Sequence, residues 1–345
     1  MIKDSLLGIT VALLKSDKIL NSPLALQIEP TTYCNLQCKM CIRSEKVITP
    51  VHMTEPVFKH AMNKLTPLRV VFAGTGEPLL NPIISEFVDY CTRKSIPSLM
   101  STNLSMDVEP AIAVLKAGLA TLYISLDAPN RDTYAAVRGN GDYFDKITAN
   151  IRELVSRPGK KYDIRLAYVI MKENMNGIVD FIELAKSLGI SSVYFQVLQT
   201  EGMTEERRKG LLEDFNFTEL KKLMKNGIIT AKKFKITTNL IELLDGFNSL
   251  MDIYNRTTLP SLGSSCILPW LQMFINVMGD VSPCCALTTN GDIKTGNVID
   301  NSRHELLNGV AIKCIRKGFR EGNLAPICRD CIPRDFRKLI KMPLH

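Results

Sequence analysis

The sequence predicts an α/β protein: an open, partial (β/α)6 barrel of the TIM type, followed by a smaller, cysteine-rich α+β unit. Two observations carry this expectation. Between residues 24 and 200, six short apolar runs alternate with stretches of helical periodicity, the pattern of a parallel sheet covered by helices. Beyond about residue 200 the alternation stops and cysteines gather instead. Six βα repeats fall short of the eight that close a full barrel, hence an open one.

The strands are expected at Ala25–Ile28, Arg69–Phe72, Ser98–Ser101, Thr121–Leu126, Ile164–Ile170 and Ser192–Val197. Between them, Thr54 ahead of Pro56 marks a helix start. Ile83, Ile84, Phe87, Val88 and Cys91 line one face of a second helix, and Ile178, Phe181, Ile182 and Ala185 line another that Gly189 ends. Thr204–Asp214 reads as a charged linker, with a helix near Thr218–Met224 and irregular chain up to Ser265. A hairpin follows, with Leu271–Val277 as one strand and Gly279–Asp280 at its turn. The expected division is an N-terminal helix over 1–23, the barrel over 24–200, a linker and helix over 201–229, and the C-terminal unit over 230–345.

Composition excludes several classes. No stretch reaches the eighteen apolar residues of a membrane span. The apolar segment Leu6–Leu14 lacks a small-residue cleavage site; Leu6, Leu7, Ile9, Leu13 and Leu14 fit a short helix packed on the main domain, with a membrane surface as the alternative. A formal charge of +8 counts cysteines as neutral, and metal-bound thiolates would lower it. The basic residues are scattered without interleaved aromatics, so a nucleic-acid partner is not expected. The ten cysteines cluster at ligand spacings, which points to metal binding in a reducing compartment, the cytoplasm.

Cys34-x3-Cys38-x2-Cys41 follows the first strand, at the end where α/β proteins place their active sites. Three thiolates on one loop can hold three corners of a cubane and leave one iron open for a small molecule. This arrangement resembles the radical S-adenosylmethionine (SAM) enzymes. The resemblance implies a 4Fe-4S cluster on Cys34, Cys38 and Cys41 whose open iron binds SAM. It also implies reductive cleavage of SAM to methionine and a 5′-deoxyadenosyl radical that takes hydrogen from a substrate. Thr75-Gly76-Glu77-Pro78 after the second strand resembles the family's Gly-Gly-Glu-Pro segment, with Thr75 in place of the first glycine. The family's use of that segment implies that it receives the SAM ammonium. Thr102-Asn103 ends the third strand as the family's ribose-side pair does, and Ser125-Leu126-Asp127 with Tyr134 and Arg138-Gly139 resembles its Ser-x-Asp…Arg-Gly stretch. There Ser125 is expected at the ribose and Arg138 at the SAM carboxylate, which its forked guanidinium suits. For Asn103 a turn cap, and for Arg138 a surface ion pair, are the plainer alternatives. Asn174 is expected either near SAM or as a helix cap, and Met40 and Ile42 as shields of the cluster.

Cys266, Cys284 and the Cys328-x2-Cys331 pair flank the hairpin. Four such thiolates form a complete set for a cluster or for zinc. The order resembles the C-terminal extension called SPASM, or its shortened twitch form, which implies an auxiliary 4Fe-4S cluster. With only Cys285 and Cys314 to spare, one auxiliary cluster is expected; Cys285 can stand in for Cys284. Cys314 and Cys91 are expected to be packed. None of His52, His60, His304 and His345 has metal-ligand spacing.

Two 4Fe-4S clusters and SAM are therefore the expected cofactors, and a flavodoxin or ferredoxin the expected reductant. The chemistry is expected to be oxidation, epimerisation or crosslinking. Only 23 residues precede the barrel, too few for the leader-binding domain that peptide-modifying relatives commonly carry. Short twitch-bearing relatives act on sugars or aminocyclitols, and that resemblance implies a small, carbohydrate-like substrate, with a ribosomal peptide as the alternative and a non-catalytic zinc or iron–sulfur scaffold as the remaining one. Spacing singles out no acid–base residue among the candidates Asp280, Asp292 and Tyr168.

Overall fold

The computed structural model describes residues 10, 12, 14–159, 161–200, 202–247, 266–289, 293–329 and 331. The chain runs β1 (Ala25–Ile28), α1 (Glu55–Leu65), β2 (Val70–Phe72), α2 (Ile84–Arg93), β3 (Ser98–Thr102), α3 (Glu109–Lys116), β4 (Thr121–Ser125), α4 (Arg131–Arg138), α5 (Asp142–Ser156), β5 (Asp163–Ile170), α6 (Ile178–Ser187) and β6 (Ser192–Val197). These strands pair in parallel in that order. Leu26, Ile28, Val70, Phe72, Leu122, Ile124 and Leu166 are each 0% exposed. These residues share one face of the sheet, the face on which Phe72 meets Phe58 of α1, while Gln27, Val71, Tyr123 and Ser125 on the other face are half-buried; the fully buried face is the one the helices cover.

The chain continues through α7 (Glu205–Leu212), α8 (Phe217–Phe234), β7 (Thr237–Thr238) and α9 (Leu240–Asp245). The stretch read as a linker is thus a helix, capped by the Thr204 hydroxyl accepting from the Arg207 amide. The helix expected to end near Met224 runs ten residues further, to Phe234. Gly227 lies inside it because an added Cβ would come within 2.8 Å of Leu240 and 2.9 Å of Ile178: the glycine lets α8 approach α6 and α9 closely.

After the turn α10 (Leu268–Leu271) come β8 (Gln272–Ile275), β9 (Asp280–Ser282), α11 (Cys285–Thr289), β10 (Gly296–Asn297), α12 (Arg303–Asn308), α13 (Val310–Glu321) and α14 (Pro326–Arg329). The hairpin is present, shorter than expected because residues 268–271 coil into a helical turn, and Gly279 takes the positive φ of +84° that its turn needs. β8 pairs in parallel with β1 along Ala25–Ile28. Among the described residues the order is therefore β10-β9-β8-β1-β2-β3-β4-β5-β6-β7, one sheet of ten strands.

Of the N-terminal segment, Leu6, Leu7, Ile9 and Leu13 lie outside the described residues. Ala12 is buried, but Leu14 is 74% exposed and not packed as expected, because the chain turns at Lys15 with φ +46°. Beyond it the arm is clasped to the C-terminal helices. Ile19 exchanges two hydrogen bonds with the Asn308 side chain, and Trp270 Nε1 donates to the Ser16 carbonyl. Among the described residues no helix is long and apolar enough to cross a membrane.

Candidate functional site

Where β1 ends, Glu29 still bonds to β8 through its amide, and its buried carboxylate turns towards the next loop. Thr31 and Thr32 then pair with the crossing segment 49–53: the Thr32 amide donates to Val51 O at 2.9 Å, and its hydroxyl to Thr49 O at 2.7 Å. This pairing releases the chain into a loop carrying Cys34, Cys38 and Cys41, all half-buried. The loop is fastened to α4, since the Lys39 amide donates to Val137 O at 2.9 Å. On its outer side, Arg207 of α7 donates to the carbonyls of Lys39 and Cys41 at 2.6 and 3.2 Å, and Glu45 receives the Thr204 amide and hydroxyl.

Thr75, Gly76 and Glu77 meet this loop directly. Glu29 Oε1 accepts from the Thr75 amide at 2.8 Å and from its hydroxyl at 2.7 Å. The Glu77 amide donates to Tyr33 O at 2.7 Å. A Cβ on Gly76 would stand 2.2 Å from Thr31 O and 2.5 Å from Tyr33 O, so this approach admits only glycine. Arg43 ties the same two loops, donating to the carbonyls of Thr32 and Thr75.

The Glu77 carboxylate is 3% exposed. It accepts from Thr102 Oγ1 at 2.7 Å, the Asn103 amide at 2.7 Å and the Leu79 amide at 3.1 Å. Burial pushes its pKa up, against those hydrogen bonds and the nearby Arg138 charge. Three of about four lone-pair sites are thus used by this chain, leaving one for a ligand. Asn103 makes its own Asx-type turn, accepting from the Ser105 amide and hydroxyl, and also donates to Asn35 of the cysteine loop at 3.1 Å. Ser125 and Ser101 face each other across β3 and β4, with hydroxyls 3.4 Å apart.

Arg138 is no surface residue. Its guanidinium is 10% exposed and pairs with Asp127, which is fully buried; Nε lies 2.6 Å from Asp127 Oδ2. Nη1 lies 3.5 Å from Cys38 Sγ. Burial opposes the charge on Arg138, but Asp127 more than offsets it and holds its pKa up. Asp127 adopts φ +56°, an unusual conformation for a non-glycine residue. It is held there by the Val169 amide on Oδ1 and by Asn174 on its carbonyl. Asn174 spends its whole side chain on the backbones of Asp127, Val169 and Met171 and caps no helix. Tyr168 is not an acid–base group: it is fully buried against Phe181 and Phe195, its hydroxyl bonds Asn174 O, and burial pushes its phenol far up.

The donor set at this end of the sheet fits an iron–sulfur cluster: three thiols on one anchored loop, with a guanidinium beside one sulfur. Burial pushes the Cys38 thiol up to about 11, so it needs a strongly attracting metal to ionise at neutral pH. At the C-terminal end, burial likewise raises Cys284, with neighbouring Cys285, Cys266 and Cys328 adding to it, and holds Cys328 at about 11. Cys266, Cys284 and Cys328 are therefore gathered; Cys331 is half-buried. Among the described residues no three His, Cys, Asp or Glu side chains converge tightly enough to hold a bare ion. Cys91 is buried as expected, whereas Cys314 is exposed on α13 and not packed, since that helix buries Ile312, Arg316 and Phe319 instead. Asp280 is engaged by Lys294, Asn297 and Asn276, which hold its carboxyl down although burial opposes them. Asp292 lies outside the described residues.

Sequence reading missed Glu29, Arg43 and Arg207, and quoted Asp127 within its motif without giving it a role. A carboxylate one residue past a barrel strand was the available signal for Glu29. The opposite charges of Ser-x-Asp…Arg were the signal for Asp127. Nothing local marks Arg43 or Arg207.

Comparison with known proteins agrees with this arrangement. Residues 28–185 match the model of the radical SAM superfamily, and residues 266–332 match SPASM, an iron–sulfur cluster-binding domain. The mycofactocin maturase MftC of Mycolicibacterium smegmatis is 29% identical over 315 residues, covering 90% of this chain and 76% of that protein. Streptococcus suis SuiB bound to the precursor peptide SuiA superposes with a TM-score of 0.65 at 18% identity, covering 92% of this chain and 78% of that one. anSMEcpe with bound AdoMet and the Cp18Cys peptide gives 0.61 at 17% identity, covering 90% and 88%. This chain belongs to the radical SAM superfamily: it is an enzyme that binds SAM and iron–sulfur clusters, with a SPASM domain at its C-terminal end.

Proposed function

We propose that this enzyme matures a peptide. In this reading the first 4Fe-4S cluster sits on Cys34, Cys38 and Cys41. SAM lies against Thr75, Gly76, Glu77, Thr102, Asn103, Ser125 and Arg138, and Cys266, Cys284, Cys328 and Cys331 hold one auxiliary cluster. The observation that carries the peptide substrate is the similarity along 90% of the chain to a protein named a maturase. The same fold in SuiB holds a precursor peptide. Both favour a peptide over the carbohydrate-like substrate expected from the sequence.

Held by Cys34, Cys38 and Cys41, the cluster would supply the single electron that cleaves SAM to methionine and a 5′-deoxyadenosyl radical, the species that would take hydrogen from the substrate. The chain's own residues build the setting. The cysteine loop is held from three sides, by α4, α7 and the Thr75–Glu77 segment, which fixes where a ligand of the open iron can lie. Gly76 lets the two loops approach so closely that their backbones share one wall. Glu77 adds a buried negative charge suited to an ammonium, and Arg138 keeps a positive charge beside Cys38. A flavodoxin or ferredoxin is the proposed electron donor.

The test is anaerobic incubation of the reconstituted enzyme with SAM, dithionite, and either short peptides encoded near its gene or free sugars. Peptide-dependent 5′-deoxyadenosine with a changed peptide mass supports the reading. Turnover on sugars alone returns the substrate to the carbohydrate class, and SAM-independent function in cells returns the protein to the scaffold class.

A further inference from the structure

Tyr134 stands one helical turn before Arg138 on α4, so both side chains leave the same face of that helix. Tyr134 is fully enclosed, and its ring is tilted against Phe144 with centroids 6.2 Å apart. Its buried hydroxyl has no hydrogen-bond partner. Few buried polar groups in native proteins lack a partner, and an ordered water, a bound ion or a redox role is the ordinary explanation for one that does.

The surroundings narrow what the partner can be. Burial pushes the Tyr134 phenol up, Arg138 opposes this, and Cys38, Asp127 and Tyr143 add to it, so its oxygen lies within electrostatic reach of all four. Arg138 has no acceptor to offer. The oxygens of Asp127 already receive Arg138 and the Val169 amide, and Tyr143 sits half-buried at the solvent boundary. The acceptor that a bound cluster would add to is sulfur at Cys38, the atom Arg138 Nη1 already approaches at 3.5 Å.

We propose that Tyr134 is a positioning residue for the first cluster. Its O–H and Arg138 Nη1 together donate to the sulfur shell around Cys38 once the cluster is bound, and so hold that cluster's reduction potential up. Hydrogen bonds to cluster sulfurs stabilise the reduced form, which carries the extra negative charge. The inference rests on the assignment of that cluster to Cys34, Cys38 and Cys41.

Tyr134→Phe removes the O–H and keeps the ring. The reconstituted full-length enzyme is titrated against redox mediators while the reduced clusters are followed by electron paramagnetic resonance, the first cluster being the one whose signal changes on adding SAM. The expected result is a full iron load and about a tenfold shift of that cluster's reduction equilibrium towards the oxidised form, about 59 mV lower for one electron. The auxiliary potential stays in place, and the metal-free variant melts no lower than wild type. An unchanged potential at full load overturns the inference, as does an equal shift in both clusters or a destabilised metal-free protein. The triple variant Cys34→Ala/Cys38→Ala/Cys41→Ala separates the two claims. A SAM-responsive signal that survives it overturns the cluster assignment and the inference together. Loss of the signal there, with an unmoved potential in Tyr134→Phe, overturns only the role of Tyr134.

Discussion

Gly76→Ala inserts one methyl group into a contact made of backbone on both sides. The new Cβ would sit 2.2 Å from Thr31 O, and carbon atoms in real structures essentially never come nearer than 3.0 Å, so the two loops must part by at least 0.8 Å at this point. Neither obstacle is a side-chain end that could swing aside, because both are main-chain carbonyls. The hydrogen bond from the Glu77 amide to Tyr33 O, now 2.7 Å, lies across this gap and breaks. Overpacking of this kind costs about 1–3 kcal/mol and the lost hydrogen bond about 1 kcal/mol more, too little to unfold a domain of this size. Misplacement of a reacting group by about 1 Å lowers rates roughly 100-fold. The expected variant therefore folds, loads iron normally and forms 5′-deoxyadenosine about 100-fold more slowly, with weaker SAM binding by equilibrium dialysis. Formation of 5′-deoxyadenosine at the wild-type rate by a folded, iron-loaded variant would refute the idea that this contact shapes the SAM site.

Arg138→Met leaves the Asp127 carboxylate buried without its cation and is expected to lower the stability of the metal-free protein by about 3–5 kcal/mol in urea unfolding; adding Asp127→Asn should recover much of it. The triple replacement of Cys34, Cys38 and Cys41 by Ala should abolish SAM cleavage while about half the iron stays bound, and 5′-deoxyadenosine formation by that protein would sink the assignment. Because burial holds the Cys38 and Cys328 thiols up at about 11 in the metal-free fold, both are protonated at neutral pH. Iron uptake should therefore strengthen and release protons as pH rises from about 7 to about 9, and an affinity flat across that window would contradict the burial argument. Arg207→Ala frees the carbonyls of Lys39 and Cys41, so amide exchange in the cysteine loop should quicken while that of β3 and β4 does not.

The strands were legible because the residues on their helix-facing side are apolar and fully buried: every expected strand of the barrel lies within one residue of its observed bounds. The cysteine spacing exposed the first site for a similar reason, since three ligands on one loop are a local pattern. What escaped was tertiary. Helix α7 buries little apolar surface, only Leu211 and the stem of Arg208, and earns its place by polar docking onto the cysteine loop. Gly227 reads as a break in sequence yet marks a close helix crossing. Tyr168 looked reactive by residue type, but its neighbours Phe181 and Phe195 come from other elements. Glu29 depends on a partner 46 residues away, a distance over which a sequence carries no visible pairing, and the motif that holds Asp127 and Arg138 does not itself show that the two pair.

The parallel pairing of β8 with β1 makes the strand that delivers the cysteine loop an interior strand, with the C-terminal hairpin as its neighbour. A chain cut before residue 266 would leave the β1 flank as a bare row of amides and carbonyls along Ala25–Ile28. Such a row recruits any extended segment at hand, another copy included. The C-terminal region thus serves as a built-in guard against self-association of the catalytic sheet, and shortened versions of this protein should be sought in aggregates before they are judged inactive.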